Sequence, residues 1–399
     1  MLTLIENGEI YAPERRGQGD ILLANGQIEK IGSIDRRKLD ALGVEHEVID
    51  ATGCVVTPGI IDPHEHLLGG SGEGGLEKQS PMLFIDEICR AGVTTVVGCL
   101  GVDTTMKTLP GLLARVKALH QEGLTTHLWT GGYNVPPTTM LGDVRQDMMF
   151  IEECIGAGEV AISDERAMAP DQHQLAHLVF DAHIGGLLTN KCGLTHFHVG
   201  ESDKRLKPIL DLLNNFDIKP EWLFPTHIQR TKELMDEAIA FAIDGMPINI
   251  DVVEEDAAKW TKYYLEQGGP PDNFTISSDA DSTTPDVFYG QICGLVVKHK
   301  LPLELVLPFV TSNTARILGL KSKGRLEKGC DADVLVLTEG SLDIREVISR
   351  GKRLVVDGKC TKRATFLEES SRNVTLVGDE WEEPIHTTGT SGVRAGSGD

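Results

Sequence analysis

The feature that most constrains this chain is a repeated alternation between short apolar stretches and stretches of helical period. Eight such units span about 260 residues, which is the size of a (β/α)8 barrel. A doubly wound sheet also alternates, but it usually has fewer units. The candidate strands are 60–66, 94–99, 126–132, 159–164, 194–199, 223–228, 247–252 and 274–279. We therefore predict an α/β fold with a TIM-type (β/α)8 barrel over residues 58–319.

Both ends of the chain carry short alternating runs of β type that cannot close a core alone. The N-terminal runs are broken by Asn-Gly and Gly turns, and a matching set returns at 324–359. We predict one small β-sandwich domain of antiparallel strands, assembled from residues 1–57 and 320–362. Residues 363–399 lose apolar periodicity, and we expect this C-terminal extension to be disordered in part.

The composition restricts the partners. With 40% hydrophobic and 25% charged residues the chain is typical of a globular protein, and its net charge of -22 argues against a nucleic-acid partner. No apolar run approaches the roughly 20 residues of a membrane span, and the N-terminus lacks the order of a signal peptide. We therefore expect a cytoplasmic protein without a membrane partner. The eight cysteines are scattered singly, and we expect reduced, mostly buried thiols.

Residues that could bind metal lie at the ends of candidate strands, where such a barrel opens its functional face. His64 and His66 are two apart, so both imidazoles point the same way along a strand. His198 ends the fifth strand, His227 the sixth and Asp279 the eighth. Four imidazoles and a carboxylate suit zinc or a similar divalent ion. A lone histidine would more often be structural, but a set at successive strand ends indicates a metal centre.

His196 competes for the same role because it shares the inward parity of His198. We expect it to pack one layer deeper, beneath the ligands. The remaining histidines fall on predicted helices, loops or the C-terminal extension and are interpreted as ordinary residues.

Several strings resemble the amidohydrolase superfamily, and the likeness spans nearly the whole chain. They are the run PGIIDPHEH, the aspartate ending the eighth strand and the closing GRLEKGCDADVLVL. Five further strings are similar to the isoaspartyl (β-aspartyl) dipeptidases in particular: HLLGGSGEGG, TGGYNVP, AISDERAMAP, FHVGES and FPTHIQR. The resemblance implies a metal-dependent hydrolase that assembles as a homo-oligomer.

Carried over by position, the resemblance also implies site residues. The metal ligands are His64, His66, His198, His227 and Asp279. The substrate-contacting residues are Glu73, Tyr133, Arg166, Arg230 and Thr283. Thr283 occupies the position where the family has a serine, and Ser282 stands beside it. Ser71, in the glycine-rich loop of Glu73, is added to this set.

One position departs from the family. Its bridging ligand is a carboxylated lysine at the end of the fourth strand, and here Glu159 stands in that place. The glutamate arm is three bonds shorter, which leaves roughly 3–4 Å less reach. Our hypothesis is that Glu159 bridges two zinc ions, or two other divalent ions, in each subunit. In the alternative, Glu159 is a spectator, and the site keeps one metal on His64, His66 and Asp279 or a weak pair.

These residues suggest a mechanism for hydrolysing a β-aspartyl dipeptide. Water held by two divalent ions becomes the nucleophile near neutral pH. Asp279 can carry its proton to the leaving amine, and Tyr133 is placed by the resemblance to stabilise the oxyanion. The two carboxylates of the substrate require cations, for which Arg166 and Arg230 are suited, and Glu73 would pair with the ammonium group.

Two other functions stay open on the sequence alone. Another enzyme of the superfamily, such as a cyclic amidase, an N-acyl amino acid deacylase or a deaminase, would share the ligands. A non-catalytic oligomeric scaffold would explain the altered residue at 159. The intact histidines and aspartate at the strand ends favour catalysis over the scaffold.

Overall fold

The computed structural model describes residues 2–71, 74–253, 256–281 and 283–365. Its first part contains β1 (Leu2–Tyr11), β2 (Arg15–Ala24), β3 (Gln27–Gly32), α1 (Arg36–Ala41), β4 (Glu47–Asp50) and β5 (Cys54–Pro58). β1, β2 and β3 pair in antiparallel fashion, and the Asn-Gly turn between β2 and β3 has the positive φ angles that such a hairpin requires.

Eight parallel strands follow. They are β6 (Ile60–Glu65), β7 (Val93–Gly98), β8 (Thr125–Thr130), β9 (Cys154–Ile162), β10 (Leu194–Val199), β11 (Leu223–Thr226), β12 (Ile248–Asp251) and β13 (Phe274–Ser277). The first six form a curled sheet in chain order, and β12 pairs with β13. β11 lies beside β12 and β13 beside β6, where Glu65 and Ala280 form a parallel bridge.

Helices cover the outer face of these strands. They are α2 (Ile85–Arg90), α3 (Leu109–Glu122), α4 (Val144–Phe150), α5 (Gln172–Thr189), α6 (Lys207–Asn215), α7 (Lys232–Ile243), α8 (Ala257–Glu266), α9 (Pro285–Val297), α10 (Leu303–Val310) and α11 (Ser312–Ile317). Several begin at a side chain that accepts a backbone hydrogen bond, as Thr108, Asp143, Asp171 and Thr231 do. Among the described helices, none is long and apolar enough to cross a bilayer.

The two ends of the chain meet in one mixed sheet. The C-terminal strands are β14 (Val334–Thr338), β15 (Ile344–Ser349), β16 (Lys352–Val356) and β17 (Lys359–Cys360). The nine strands run in the order β17-β16-β15-β14-β5-β1-β2-β3, with β4 also on β1. The prediction of antiparallel strands alone was wrong, because β4 and β5 each pair in parallel with part of the long β1.

Only Gly59 separates β5 of the mixed sheet from β6 of the parallel sheet. A Cβ at this position would fall 2.2 Å from Oγ1 of Thr94 in β7, so the close approach requires glycine. A buried ion pair also joins the two parts. The ammonium group of Lys323 lies 2.6 Å from Asp333 and donates a hydrogen bond to Thr125 at the start of β8. The mixed sheet thus holds the amino-terminal ends of the parallel strands, and their carboxyl ends face away from it.

Candidate metal centre

Six side chains that the sequence predicts as metal ligands come together at the carboxyl ends of the parallel strands. Three belong to strands, whereas the others follow a strand by one or two residues, because several strands end earlier than predicted. They are His64 in β6, Glu159 in β9 and His198 in β10, with His66 after β6, His227 after β11 and Asp279 after β13.

The carboxylate of Glu159 lies between two pairs of imidazoles. Its Oε1 is 2.6 Å from Nδ1 of His198 and 3.0 Å from Nε2 of His227. Its Oε2 is 3.4 Å from Nε2 of His64 and 3.8 Å from Nε2 of His66. The side chain is completely buried, so these imidazoles are its polar surroundings. The short glutamate arm therefore reaches all four candidate histidine ligands.

A bulge in β9 places this side chain. Thr195 of β10 pairs with Ala157, whereas Phe197 pairs with Val160, so two residues of β9 face a single residue of β10. A bulge re-aims the side chain of the extra residue, and such irregularities are common beside active sites. Glu159 is one of the two residues in this bulge. The strand end is thus altered at the position where the sequence required an adjustment for the shorter side chain.

Asp279 completes the cluster from the opposite side. Its Oδ1 lies 3.2 Å from Nε2 of His64 and 3.2 Å from Nε2 of His66. Its backbone N–H donates to the carbonyl of His64 at 3.1 Å. Asp279 and His227 both have left-handed backbones, with φ of 49° and 62°. Non-glycine residues held in this way cluster at functional sites.

The donor set fits a divalent metal. Nε2 of His64 and Oε2 of Glu159 are buried, and neither makes a hydrogen bond within the described part of the chain. Leaving such atoms unpaired costs about 1–3 kcal/mol each, which coordination to a cation would offset. Three overlapping groups have ligand atoms within 4.8 Å of one another: His64, His66, Cys99 and Glu159; His64, His227 and Asp279; and Glu159, His198 and His227.

The electrostatics of the cluster favour anionic carboxylates. Burial opposes ionisation of Glu159, but the imidazoles of His64 and His198 outweigh it and hold its pKa well below the usual range. Burial likewise disfavours the charged form of His227, yet Asp251 raises its pKa to about 9. Protons and metal ions therefore compete for the same nitrogen atoms, since an imidazole must be neutral to bind metal.

His196 lies under the cluster. Its Nε2 is 3.3 Å from Nδ1 of His64, and its Nδ1 is 2.9 Å from the carbonyl of Phe224. The ring stacks on Trp129 at a centroid distance of 5.3 Å. Burial lowers the pKa of His196 to about 3, so the ring is neutral and packs beneath the candidate ligands.

Sequence reasoning missed two polar residues of this site. Asp251, the last residue of β12, accepts a hydrogen bond from Nδ1 of His227 at 2.6 Å. Cys99, directly after β7, has its Sγ 3.8 Å from Nδ1 of His66. Both stand at the carboxyl end of a candidate strand, which is the signal that identified the histidines and would have found these residues too.

Beside the cluster, four further side chains converge on His198, and one of them is Asp164, whose Oδ2 is 3.1 Å from Nε2 of His198. The hydroxyl of Tyr133 is 2.8 Å from its Nδ1. Nη2 of Arg166 is 3.0 Å and Nη2 of Arg230 is 3.4 Å from its Nε2. Asp164 accepts both Nε and Nη2 of Arg166, at 2.8 Å and 2.7 Å, and so fixes the plane of that guanidinium.

A cavity of about 690 Å³ adjoins these groups and contains both arginines. It lies between the segments that follow β9 and β10, with Glu201 and Lys204 on its wall. Glu201 is exposed and lies 3.6 Å from Nη1 of Arg230. Two guanidinium groups therefore line a cavity beside the cluster.

The remaining predicted substrate contacts belong to the segments that follow β6 and β13. Glu73 lies outside the described residues. Ser71 and Thr283 are half-buried in the segments after β6 and β13. These two segments touch, because a Cβ at Gly70 would fall 2.2 Å from Oδ2 of Asp281. The segment after β6 thus contacts the segment after β13 at Gly70 and Asp281.

Comparisons with known proteins agree with this geometry. A model of the amidohydrolase family matches residues 219–359. The crystal structure of a β-aspartyl dipeptidase from Fervidobacterium islandicum AW-1 is 36% identical with a TM-score of 0.87, and the match covers 91% of this chain and 99% of that one. The same organism's β-aspartyl dipeptidase in complex with the dipeptide β-Asp-Leu is 35% identical with a TM-score of 0.84, over 91% and 99% of the two chains.

A curated sequence relative is more distant. The dihydroorotase of Lactobacillus helveticus is 23% identical over an alignment of 432 positions, gaps included, which covers 92% of this chain and 97% of that protein.

Proposed function

The chain belongs to the amidohydrolase superfamily and, within it, to the β-aspartyl dipeptidases, and from this we propose that it is a metallohydrolase of β-aspartyl (isoaspartyl) dipeptides. One observation carries the proposal. The carboxylate of Glu159 lies among four imidazoles while two guanidinium groups approach the same cluster at His198. Such a site combines a cation-binding centre with anchors for an anionic substrate.

We propose that two zinc ions, or two other divalent ions, occupy the cluster. His64, His66 and Asp279 would hold one, His198 and His227 the other, and Glu159 would be shared. When bound, the metal supplies a water of lowered pKa and polarises the scissile carbonyl. Glu159 suits the shared position because each of its oxygens faces a different pair of imidazoles.

The chain's own residues then move protons and stabilise charge. Asp279, whose pKa is lowered because the neighbouring imidazoles outweigh burial, is an anion that can accept the proton of the water and pass it to the leaving amine. Burial and the charge of Glu159 raise the pKa of Tyr133 well above its usual value. Its hydroxyl therefore stays protonated and can donate a hydrogen bond to the developing oxyanion.

We assign substrate binding to the two arginines and to the segments after β6 and β13. Arg166 and Arg230, which line the cavity beside the cluster, would bind the two carboxylates of a β-aspartyl dipeptide, and the Fervidobacterium relative is known in complex with β-Asp-Leu. Glu73 would pair with the free ammonium group of the substrate. Hydroxyl groups of Ser71 and Thr283 would add hydrogen bonds.

The finer architecture is part of the same proposal. The eight parallel strands would close into a (β/α)8 barrel over residues 58–319, supported by the contact between β13 and β6. Residues 1–57 and 320–362 would form the small β domain, a β-sandwich in our prediction, and 363–399 an extension that lies, from 366 onward, outside the described residues. A homo-oligomer in the cytoplasm remains our prediction, which light scattering and cell fractionation would test.

The test is a comparison of substrates with the zinc-loaded protein. We expect turnover of β-Asp-Leu and little or none of α-Asp-Leu, hydantoin, dihydrouracil or N-acetyl amino acids. Turnover of a cyclic amide or an acyl amino acid, with every β-aspartyl dipeptide left intact, would assign the chain to another amidohydrolase activity. Binding of zinc without turnover of any of these compounds would favour the oligomeric scaffold.

A further inference from the structure

Two cysteines far apart in the sequence meet on the side of the molecule where the mixed sheet packs against α2. Cys89 belongs to α2 and Cys360 ends β17. They are 271 positions apart in the chain, yet their sulfur atoms are 3.1 Å apart. A disulfide bond is about 2.05 Å long, so the two atoms need to approach by only about 1 Å to bond.

The surroundings give the two thiols different roles. Cys89 is fully buried, and its Sγ lies 3.7 Å from the carbonyl oxygen of Asp86. Cys360 is partly exposed, with its Sγ 3.0 Å from the carbonyl of Lys362. α2 packs against β15, β16 and β17, so the contact between the thiols is part of a packed interface. Of the two residues, Cys360 is therefore the more accessible to a reagent, and Cys89 is buried beside it.

The acidities of the two thiols also differ. The hydrogen bond from Cys89 lowers the pKa of Cys360, and the same contact together with burial raises the pKa of Cys89. Cys360 therefore forms a thiolate more readily than Cys89, and the thiolate is the form of cysteine that attacks disulfides.

We propose that Cys89 and Cys360 are a redox-active pair that forms a reversible intramolecular disulfide with a low-molecular-weight disulfide, such as oxidised glutathione, as the oxidant. The Cys360 thiolate attacks one sulfur of the oxidant, which gives a mixed disulfide and releases one thiol. Cys89 then loses its proton and attacks Sγ of Cys360, which releases the second thiol. The protein loses two hydrogens and two electrons, and the oxidant is reduced to two thiols.

Oxidation would link β17, at the edge of the mixed sheet, to α2, the helix between β6 and β7. The bond would close a loop of 271 positions and restrict the unfolded chain, so the oxidised protein should melt at a higher temperature than the reduced protein. In a reducing environment both thiols stay free. The inference is independent of the hydrolytic activity, because neither cysteine belongs to the candidate metal centre.

The experiment equilibrates the full-length, zinc-loaded protein in a series of reduced and oxidised glutathione buffers, stops exchange with acid, alkylates the free thiols under denaturing conditions and measures the intact mass and the tryptic peptides. We expect the oxidised protein to lose about 2 Da, to protect two thiols from alkylation and to yield a peptide that joins Cys89 to Cys360. Cys360→Ser should abolish the link and the rise in melting temperature. The matched control, Cys293→Ser, changes a half-buried thiol of α9 and should leave both intact.

Two results would overturn the proposal. Both thiols could remain open to alkylation in every buffer, or Cys360 could keep a glutathione adduct without linking to Cys89. Because Cys360 is partly exposed, Cys360→Ser keeps the experiment decisive even where the buried Cys89→Ser fails to fold.

Discussion

Replacing Glu159 by glutamine would remove one negative charge from the middle of the cluster and keep the shape of the side chain. The ligand atoms of each candidate group lie within 4.8 Å of one another, so a cation among them would lie within about 4 Å of this carboxylate. At an effective dielectric constant of about 20, a unit charge at about 4 Å contributes about 4 kcal/mol of attraction. A divalent ion doubles this attraction, so we expect Glu159→Gln to weaken metal binding at least about thousandfold.

Two measurements check this prediction. The metal-free protein is titrated with zinc against a chromophoric chelator, and the metal retained after desalting is counted by mass spectrometry. We expect the wild type to retain about two ions per chain and the variant fewer. Glu152→Gln, which changes an exposed glutamate just before β9, is the matched control and should behave as the wild type. The reasoning is refuted by a folded Glu159→Gln variant that retains both ions with unchanged affinity.

Four further outcomes are expected. Asp251→Asn removes the partner of His227 and should lower metal affinity by about 10–100-fold in the chelator titration. Because Asp251 raises the pKa of His227 to about 9 from 6.5, the metal-free fold should be stabilised below pH 6.5 and lose that stability as the pH rises through 9, a slope that melting curves of Asp251→Asn should largely lack. Tyr133→Phe should reduce kcat about 100- to 1000-fold with KM nearly unchanged, and an unaltered kcat would exclude the hydroxyl from the reaction. Arg166→Met should raise KM for β-Asp-Leu at least about tenfold, whereas Arg205→Met, which changes a half-buried arginine that pairs with Glu237 and does not line the cavity, should not.

The placement of the site was predictable because its signal is local. Each parallel strand is a short apolar run, and the polar residue at its end identifies itself by position alone, as His198 and His227 do. Asp251 carries the same signal and was overlooked because no family motif drew attention to it. The strand pattern therefore contained more of the site than the motifs did.

Other features depend on contacts between distant parts of the chain. The bulge at Glu159 depends on the pairing of β9 with β10, about 40 positions later. The local Gly-Glu-Val sequence does not predict it. The parallel pairing of β4 and β5 with β1 depends on how α1 turns the chain back over the sheet. The contact of Cys89 with Cys360 joins two segments whose spacing shows no pairing motif.

The single glycine between β5 and β6 joins the mixed sheet directly to the start of the strand whose other end carries His64. A shortened chain that begins at β6 would keep every candidate ligand, but it would lose the strand that fixes the position of β6 and therefore of His64 and His66. Substitutions in the mixed sheet should therefore alter zinc affinity, although they lie far from the candidate ligands.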